Sequence, residues 1–297
     1  MNPTKHLLMC EPTGYTVNYE INPYMKSSVI DPALALRQWR SVKDALIDGG
    51  AEVTVVPGDA RYPDMVFAAN AAQIIRGSCF KTAILAKFKS EHRAGETELW
   101  ASRMPATIVD ALMSFNSENS YGPASNFFEG QGDIVTMKAR YDPTIGQLYR
   151  YVVGFGQRTS ISGARLLSGM IREFSTTAEV TRVKLRSPYF YHLDTCVFSG
   201  SKACLVIKDA IDPDYYEGLI GALRAENPHK LLIGVTEDEG KTLCCNMVQT
   251  SDDTVVSGLL PARVKQRLED AGYKCIEVDT SEFLKAGGSV RCMTLDL

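Results

Sequence analysis

Five short segments, in which polar side chains interrupt apolar runs, recur along this chain at roughly 45- to 65-residue intervals. They cover residues 65–70, 127–133, 191–196, 243–247 and 290–293. Each of the first four is followed by a second strand candidate, at residues 83–86, 151–155, 203–207 and 254–256. Repetition on this scale is the mark of a supersecondary unit that cannot bury its apolar face alone and stacks on copies of itself. Between the polar segments the chain repeats a helix-then-strand phrase. Asp31-Pro32 offers a capping carboxylate and a proline at the first helical position, and Gly49-Gly50 stops the helix. Residues 51–56 then read as a strand. The phrase returns as helix 161–174 with strand 179–185, helix 212–224 with strand 230–235, and helix 260–271 with strand 274–278. A further helix is expected from Glu96 to about Met113, with Pro105 as a break. The polar segments themselves read as strand-like. The pattern predicts an α/β fold of five strand-strand-helix-strand units, arranged in a ring that brings the polar segments to one centre.

With 297 residues, 45% of them hydrophobic, the chain can bury a large core. No Gly/Ser or proline-rich linker divides it, so residues 1–297 are expected to form one domain. The 32 basic residues against 35 acidic ones give a net charge of -3, which argues against nucleic acid or an anionic membrane as the main partner. No run of apolar residues is long enough for a membrane span, and the first residues lack a signal-peptide core. A cytoplasmic setting with eight reduced cysteines is the expectation. There is no CxxC spacing, and Cys244 and Cys245 are adjacent, so a metal site has little support.

The candidate chemistry lies in the polar segments. Cys292 follows Gly287-Gly288-Ser289-Val290-Arg291, a run that allows a tight turn and then a held position. Of the four histidines, His192 stands two residues from Asp194, on the same face if the segment is a strand. A thiol, an imidazole and a carboxylate are the elements of nucleophilic catalysis. Glu129 lies beside two aromatics and two glycines, a poor setting for a solvated charge; a buried carboxylate needs a cation or hydrogen bonds. Asp64 and Asn70 bracket another apolar run, and Arg158 precedes a helix. Structural alternatives stand beside each: a core histidine, an inert buried cysteine, turn acids and a surface arginine.

Taken in order, these motifs resemble the guanidino-group-modifying superfamily of arginine deiminases, dimethylarginine dimethylaminohydrolases, amidinotransferases and arginine dihydrolases. The matching stretches begin at Met9-Cys10-Glu11-Pro12 and Tyr19-Glu20-Ile21-Asn22-Pro23, and continue through Pro63-Asp64-Met65-Val66-Phe67 and Phe128-Glu129-Gly130. They end with Tyr191-His192-Leu193-Asp194 and Gly287-Gly288-Ser289-Val290-Arg291-Cys292. The resemblance implies a five-bladed, pseudo-symmetric α/β propeller of ββαβ units. It also implies Cys292 as nucleophile, His192 as general acid/base, and Glu129 with Asp194 gripping a guanidinium. Arg158 would bind the α-carboxylate, Asn22 would lie toward the amino-acid end of the substrate, and Asp64 would be a further substrate-binding acid. No metal or organic cofactor is implied. Many deiminases carry an aspartate where this chain has Asn70, whereas arginine dihydrolases are similar to this chain in having asparagine. The expected activity is therefore arginine hydrolysis through a covalent amidino-thioether, carried to ornithine, carbon dioxide and two ammonia. Deiminase, dimethylarginine hydrolase, amidinotransferase and non-catalytic arginine-binding readings remain alternatives, and association between copies of the chain is left open.

Overall fold

The first blade is built from opposite ends of the numbering. In the computed structural model, strand β1 (His6–Cys10) leads into helix α1 (Pro32–Asp48) and returns as β2 (Glu52–Val56), parallel to β1. The structure describes residues 4–26, 28–76, 80–115, 126–142, 146–175, 178–225 and 227–297. The next blades follow in order. One holds β3 (Ala72–Arg76), β4 (Lys81–Leu85), α2 (Glu96–Arg103) and β5 (Ala111–Ser114). Another holds β6 (Ile134–Asp142), β7 (Gly146–Phe155), α3 (Ile161–Phe174) and β8 (Glu179–Lys184). Then come β9 (Val197–Ser199), β10 (Ala203–Val206), α4 (Pro213–Arg224) and β11 (Leu231–Gly234). After the short helix α5 (Glu237–Gly240), the last full phrase is β12 (Val248–Gln249), β13 (Thr254–Ser257), α6 (Ala262–Asp270) and β14 (Lys274–Glu277). The short helix α7 (Ser281–Leu284) leads to β15 (Leu295–Asp296), which pairs antiparallel with β1. Among the described residues these strands form five three-stranded sheets. In each, the first pairing is antiparallel and the second, across the helix, is parallel.

Local chemistry explains the helices. Asp31 accepts hydrogen bonds from the N–H groups of Ala33 and Leu34 at 2.9 and 3.0 Å, satisfying two donors the helix cannot use. Ala35, Trp39, Val42 and Leu46 then return to one buried face at helical spacing. Ser160 caps α3 through Gly163 N–H, and Asp212 caps α4 through Asp214 N–H. The helix expected to reach Met113 stops at Arg103. Met104 precedes Pro105 and is extended, because the proline ring disfavours helical backbone in the residue before it. Residues 111–114 instead satisfy the open edge of β4 as a parallel strand.

The polar segments are not strands. Residues 63–66 and 68–70, 130–133 and 193–195 are turns of 3-10 helix, and each strand proper begins just after, at Ala72, Ile134 and Val197. The ββαβ repeat expected from sequence holds, with its first strand displaced toward higher numbers.

The chain divides into two compact units. One comprises Met1–Ala69, Asp194–Lys208 and Lys230–Leu297 and holds three of the sheets; the other comprises Asn70–Leu193 and Asp209–His229 and holds two. The first is centred on Leu7, Met9, Trp39, Leu46, Phe67 and Phe283. The second is centred on Ile84, Phe128, Tyr151, Val153, Leu167 and Ile171. Each such buried side chain contributes roughly 1.5–3 kcal/mol. Among the described residues no helix is long and apolar enough to cross a membrane.

Candidate active site

In the larger unit, the candidate side chains gather around Cys292. Gly287 has φ of +82°, a conformation open to glycine, and it turns the chain after α7. Gly288 then passes against the ring of Phe67: a Cβ there would meet Phe67 Cδ1 at 2.7 Å and Cζ at 2.8 Å. The ring cannot step aside easily, because it stands edge-on to both Tyr15 and Phe283, with centroids 6.0 and 6.4 Å away. Gly288→Ala is therefore expected to cost about 1–3 kcal/mol by overpacking, read as a lower melting temperature together with reduced turnover.

The buried Cys292 that follows is fixed from several sides. Its carbonyl accepts from Ala69 N–H at 3.0 Å, and its N–H donates to Asn246 Oδ1 at 3.0 Å. Its Sγ receives Asn246 Nδ2 at 3.1 Å and lies 3.7 Å from Asp194 Oδ2. Burial, and after it the Asp194 charge, push the thiol well above its ordinary range, while the Ser289 backbone, Asn246 and Arg291 act the other way. Asp64, in the turn Pro63–Val66, is buried. Burial first and the Asp64 charge second raise the Tyr15 phenol. Asn22 caps the turn Pro23–Met25 through Tyr24 N–H at 2.9 Å and donates to Ala286 carbonyl at 3.0 Å, tying its loop to the segment after α7.

In the smaller unit, the centre is Glu129, fully buried at the start of the turn Gly130–Asp133. Its Oε2 accepts from Arg158 Nη1 at 3.1 Å and lies 2.9 Å from His192 Nε2; its Oε1 accepts from Lys89 N–H at 3.1 Å. Burial opposes its charge most strongly. Arg158, His192 and Arg93 together outweigh that and hold the carboxyl well below the usual carboxylate range. Because Glu129 is ionised, His192 Nε2 carries the proton of their shared hydrogen bond. Arg158 also stacks over the Tyr191 ring at 4.9 Å. Asp133 accepts from the N–H groups of Leu193 and Thr159 at 3.1 and 3.3 Å, which shapes the turn that presents His192. Gly132 leaves room for that imidazole: a Cβ would lie 3.2 Å from the ring. Asn70 Oδ1 accepts from Arg93 Nη1 at 2.9 Å, and Asn70 Nδ2 is 3.5 Å from Glu129 carbonyl. Arg93 is gripped in turn by Glu96 through two hydrogen bonds of 2.7 and 2.9 Å.

Glu129, His192, Arg158 and Asn70 thus share one cluster, and Cys292 and Asp194 another that also holds Asn246. The expectation that His192 and Asp194 lie on one strand face is corrected: Leu193–Thr195 is a 3-10 turn, and the two side chains bond to different partners. Arg93 and Asn246 were not anticipated. Arg93 offered a signal in its spacing from Glu96, but nothing in Leu243–Met247 set Asn246 apart. Among the described residues no group of three or more His, Cys, Asp or Glu side chains is placed to hold a metal ion.

The likeness to known proteins extends over the whole fold. The N-terminal domain of ArgZ bound to product, an arginine dihydrolase from the ornithine-ammonia cycle in cyanobacteria, superposes with a TM-score of 0.81. At 27% identity, that likeness covers 99% of this chain and 97% of that one. The fold is the pseudo-fivefold α/β propeller of ββαβ units that the repeat predicts. The model of the eukaryotic N,N dimethylarginine dimethylhydrolase family matches residues 11–297. The chain belongs to that family, and with it to the guanidino-group-modifying superfamily. One relative is the bifunctional arginine dihydrolase/ornithine cyclodeaminase ArgZ of Synechocystis sp., 29% identical over 97% of this chain; the chain spans 37% of that protein's length. Another is the N(G),N(G)-dimethylarginine dimethylaminohydrolase of Mycobacterium tuberculosis, 27% identical over 99% of this chain and 86% of that protein.

Proposed function

We propose that the protein hydrolyses the guanidinium group of L-arginine or a close derivative, and that it carries arginine through two rounds to ornithine, carbon dioxide and two ammonia. Cys292 is the nucleophile. In the resting chain Asp194 accepts the thiol proton and favours the uncharged sulfur. A guanidinium paired with Asp194 cancels that preference, so substrate binding itself promotes the thiolate. The thiol gives up its proton to solvent as the guanidinium seats, and sulfur then bonds to the guanidinium carbon. His192 supplies the proton with which the departing nitrogen leaves as ammonia. It next takes a proton from the water that adds to the amidino-thioether, and the C–S bond breaks to release citrulline and free Cys292. Both Glu129 oxygens are already engaged, so its part is to hold and orient His192 while Asp194 takes the substrate cation. Arg158 and Asn22 are assigned to the amino-acid end of the substrate, and Asp64 to substrate binding.

The observation that carries the second round is the amide of Asn70. Its Oδ1 is committed to Arg93, which leaves Nδ2 as the group to donate to a ureido oxygen. An aspartate at that position offers no donor to neutral citrulline. Asn70→Asp is expected to shift the product ratio from ornithine toward citrulline by about tenfold or more. Incubation with isotopically labelled arginine and chromatography of the products reads this; an unchanged ratio overturns the role given to Asn70. The family model's own description favours a second reading, release of a dimethylated amine from dimethylarginine. The same assay with dimethylarginine separates the two.

A further inference from the structure

Asn246 lies in the turn between α5 and β12 and is fully buried. Each polar atom of its side chain has a partner. Oδ1 accepts from Cys292 N–H at 3.0 Å; Nδ2 donates to Asp194 carbonyl at 3.2 Å and lies 3.1 Å from Cys292 Sγ. Its own carbonyl accepts from Arg291 N–H at 3.3 Å. Two of these partners fix which way round the amide lies, because an N–H can only donate and a carbonyl can only accept. The group turned toward sulfur is therefore the NH2, a donor. A second observation concerns the backbone. Leu243 has φ of +57°, the one non-glycine residue in the left-handed region among the described residues, and Asn246 N–H closes that turn on Leu243 carbonyl at 2.9 Å. Strain of this kind persists where the surroundings over-determine a conformation, and it clusters at functional sites.

We propose that Asn246 is the positioning residue of the nucleophile, clamping Cys292 by its backbone N–H and its sulfur at once and donating a hydrogen bond that favours the thiolate. This rests on the reading of Cys292 as the nucleophile. The groups facing the sulfur compete. Asp194 Oδ2, at 3.7 Å, accepts the thiol proton and favours the neutral form, while the Arg291 charge and the Asn246 amide favour the anion. With the Ser289 backbone, which also favours the anion, Asn246 makes up the uncharged part of this set, so its contribution remains when a substrate cation has neutralised Asp194.

The test reads the sulfur directly. Thiolate absorbance at 240 nm is followed against pH, each protein measured as a difference from its own Cys292→Ser counterpart. Asn246→Ala is expected to raise the midpoint by about one pH unit, a tenfold loss of thiolate at fixed pH. Asn246→Asp keeps the acceptor for Cys292 N–H but loses the donor and adds charge, so its shift is expected to be larger. A midpoint in Asn246→Ala that coincides with the parent, in protein that melts cooperatively, overturns the proposal; a purely structural role would lower the melting temperature without moving it. Should the alanine variant not fold, the parent protein supplies the reading: the Asn246 side-chain amide 15N resonance should titrate with the Cys292 midpoint, and a resonance that stays still across it overturns the proposal. None of these measurements needs turnover, so a protein inactive on arginine can still support the role of Asn246.

Discussion

Replacing Cys292 by alanine is expected to abolish ammonia release from arginine, a loss of at least ~10⁴-fold in kcat, while leaving a folded protein. The reasons lie in the local structure. Deleting Sγ removes the contacts to Asn246 Nδ2 and Asp194 Oδ2 but keeps the backbone bonds from Ala69 and to Asn246, which hold the segment. Two other thiols among the described residues are poor substitutes. Cys10 Sγ donates to the carbonyls of Glu11 and Pro57, and Cys275 is pushed up to about 11 by burial, Glu269 and Glu277. Cys292→Ser is the sharper form of the test, since a hydroxyl preserves shape and hydrogen bonding but not nucleophilicity near neutral pH. Coupled ammonia detection with both variants, beside their melting curves, checks it. Full turnover in either variant would remove the covalent mechanism.

The largest effect on stability is expected from Glu129→Gln. The carboxylate is fully buried and serves both Arg158 and His192, so the uncharged isostere leaves the Arg158 guanidinium without its counter-ion. Breaking a buried pair in this way costs roughly 3–5 kcal/mol, a fall of roughly 6 °C or more in melting temperature for a chain of this size. The effect has a definite sign against pH. Glu129 is held below its usual value of 4.5, so its stabilisation is fully present above that value and fades as the pH falls. The gap in stability between parent and variant should narrow below about pH 4.5, approaching about 1.4 kcal/mol per pH unit. A gap independent of pH would show that the ionised carboxylate is not what the surroundings require. Activity should fall too, by about a hundredfold or more, because His192 loses the partner that fixes its orientation.

The sequence announces its elements where the signal is local and chemical. Asp31-Pro32 and Asp212-Pro213 each mark a helix, because a carboxylate cap and a proline in the first turn satisfy needs found only at that place. The order of polar segments likewise marks the repeat. The conformation of those segments is less legible. Leu193–Thr195 alternates apolar and polar residues as a strand does, yet it is wound into a turn by Asp133, sixty residues earlier, which accepts from Leu193 N–H. The partners of His192 and Asp194 follow from that winding, and residue parity cannot supply them. Arg93 and Asn246 were missed for a related reason: each acts by gripping a side chain far from it in sequence, Asn70 and Cys292, and neither carries a motif of its own.

The pairing of β15 with β1 also sets an order of events during folding. Leu8 lies between Thr54 on one side and Leu295 on the other. Parallel pairing with Thr54 needs only the intervening helix, but pairing with Leu295 closes a loop of almost the whole chain, an entropic cost of about 5 kcal/mol beyond a constant. Contacts of such long range form late. Cys292 stands three residues before β15, so the setting of the proposed nucleophile is completed when that strand joins. Residues 6–10 cannot complete their sheet until residues 295–296 are in place. Partly folded chains without that pairing therefore lack the geometry proposed to arm the thiol, and reactivity is expected only once the strand has joined.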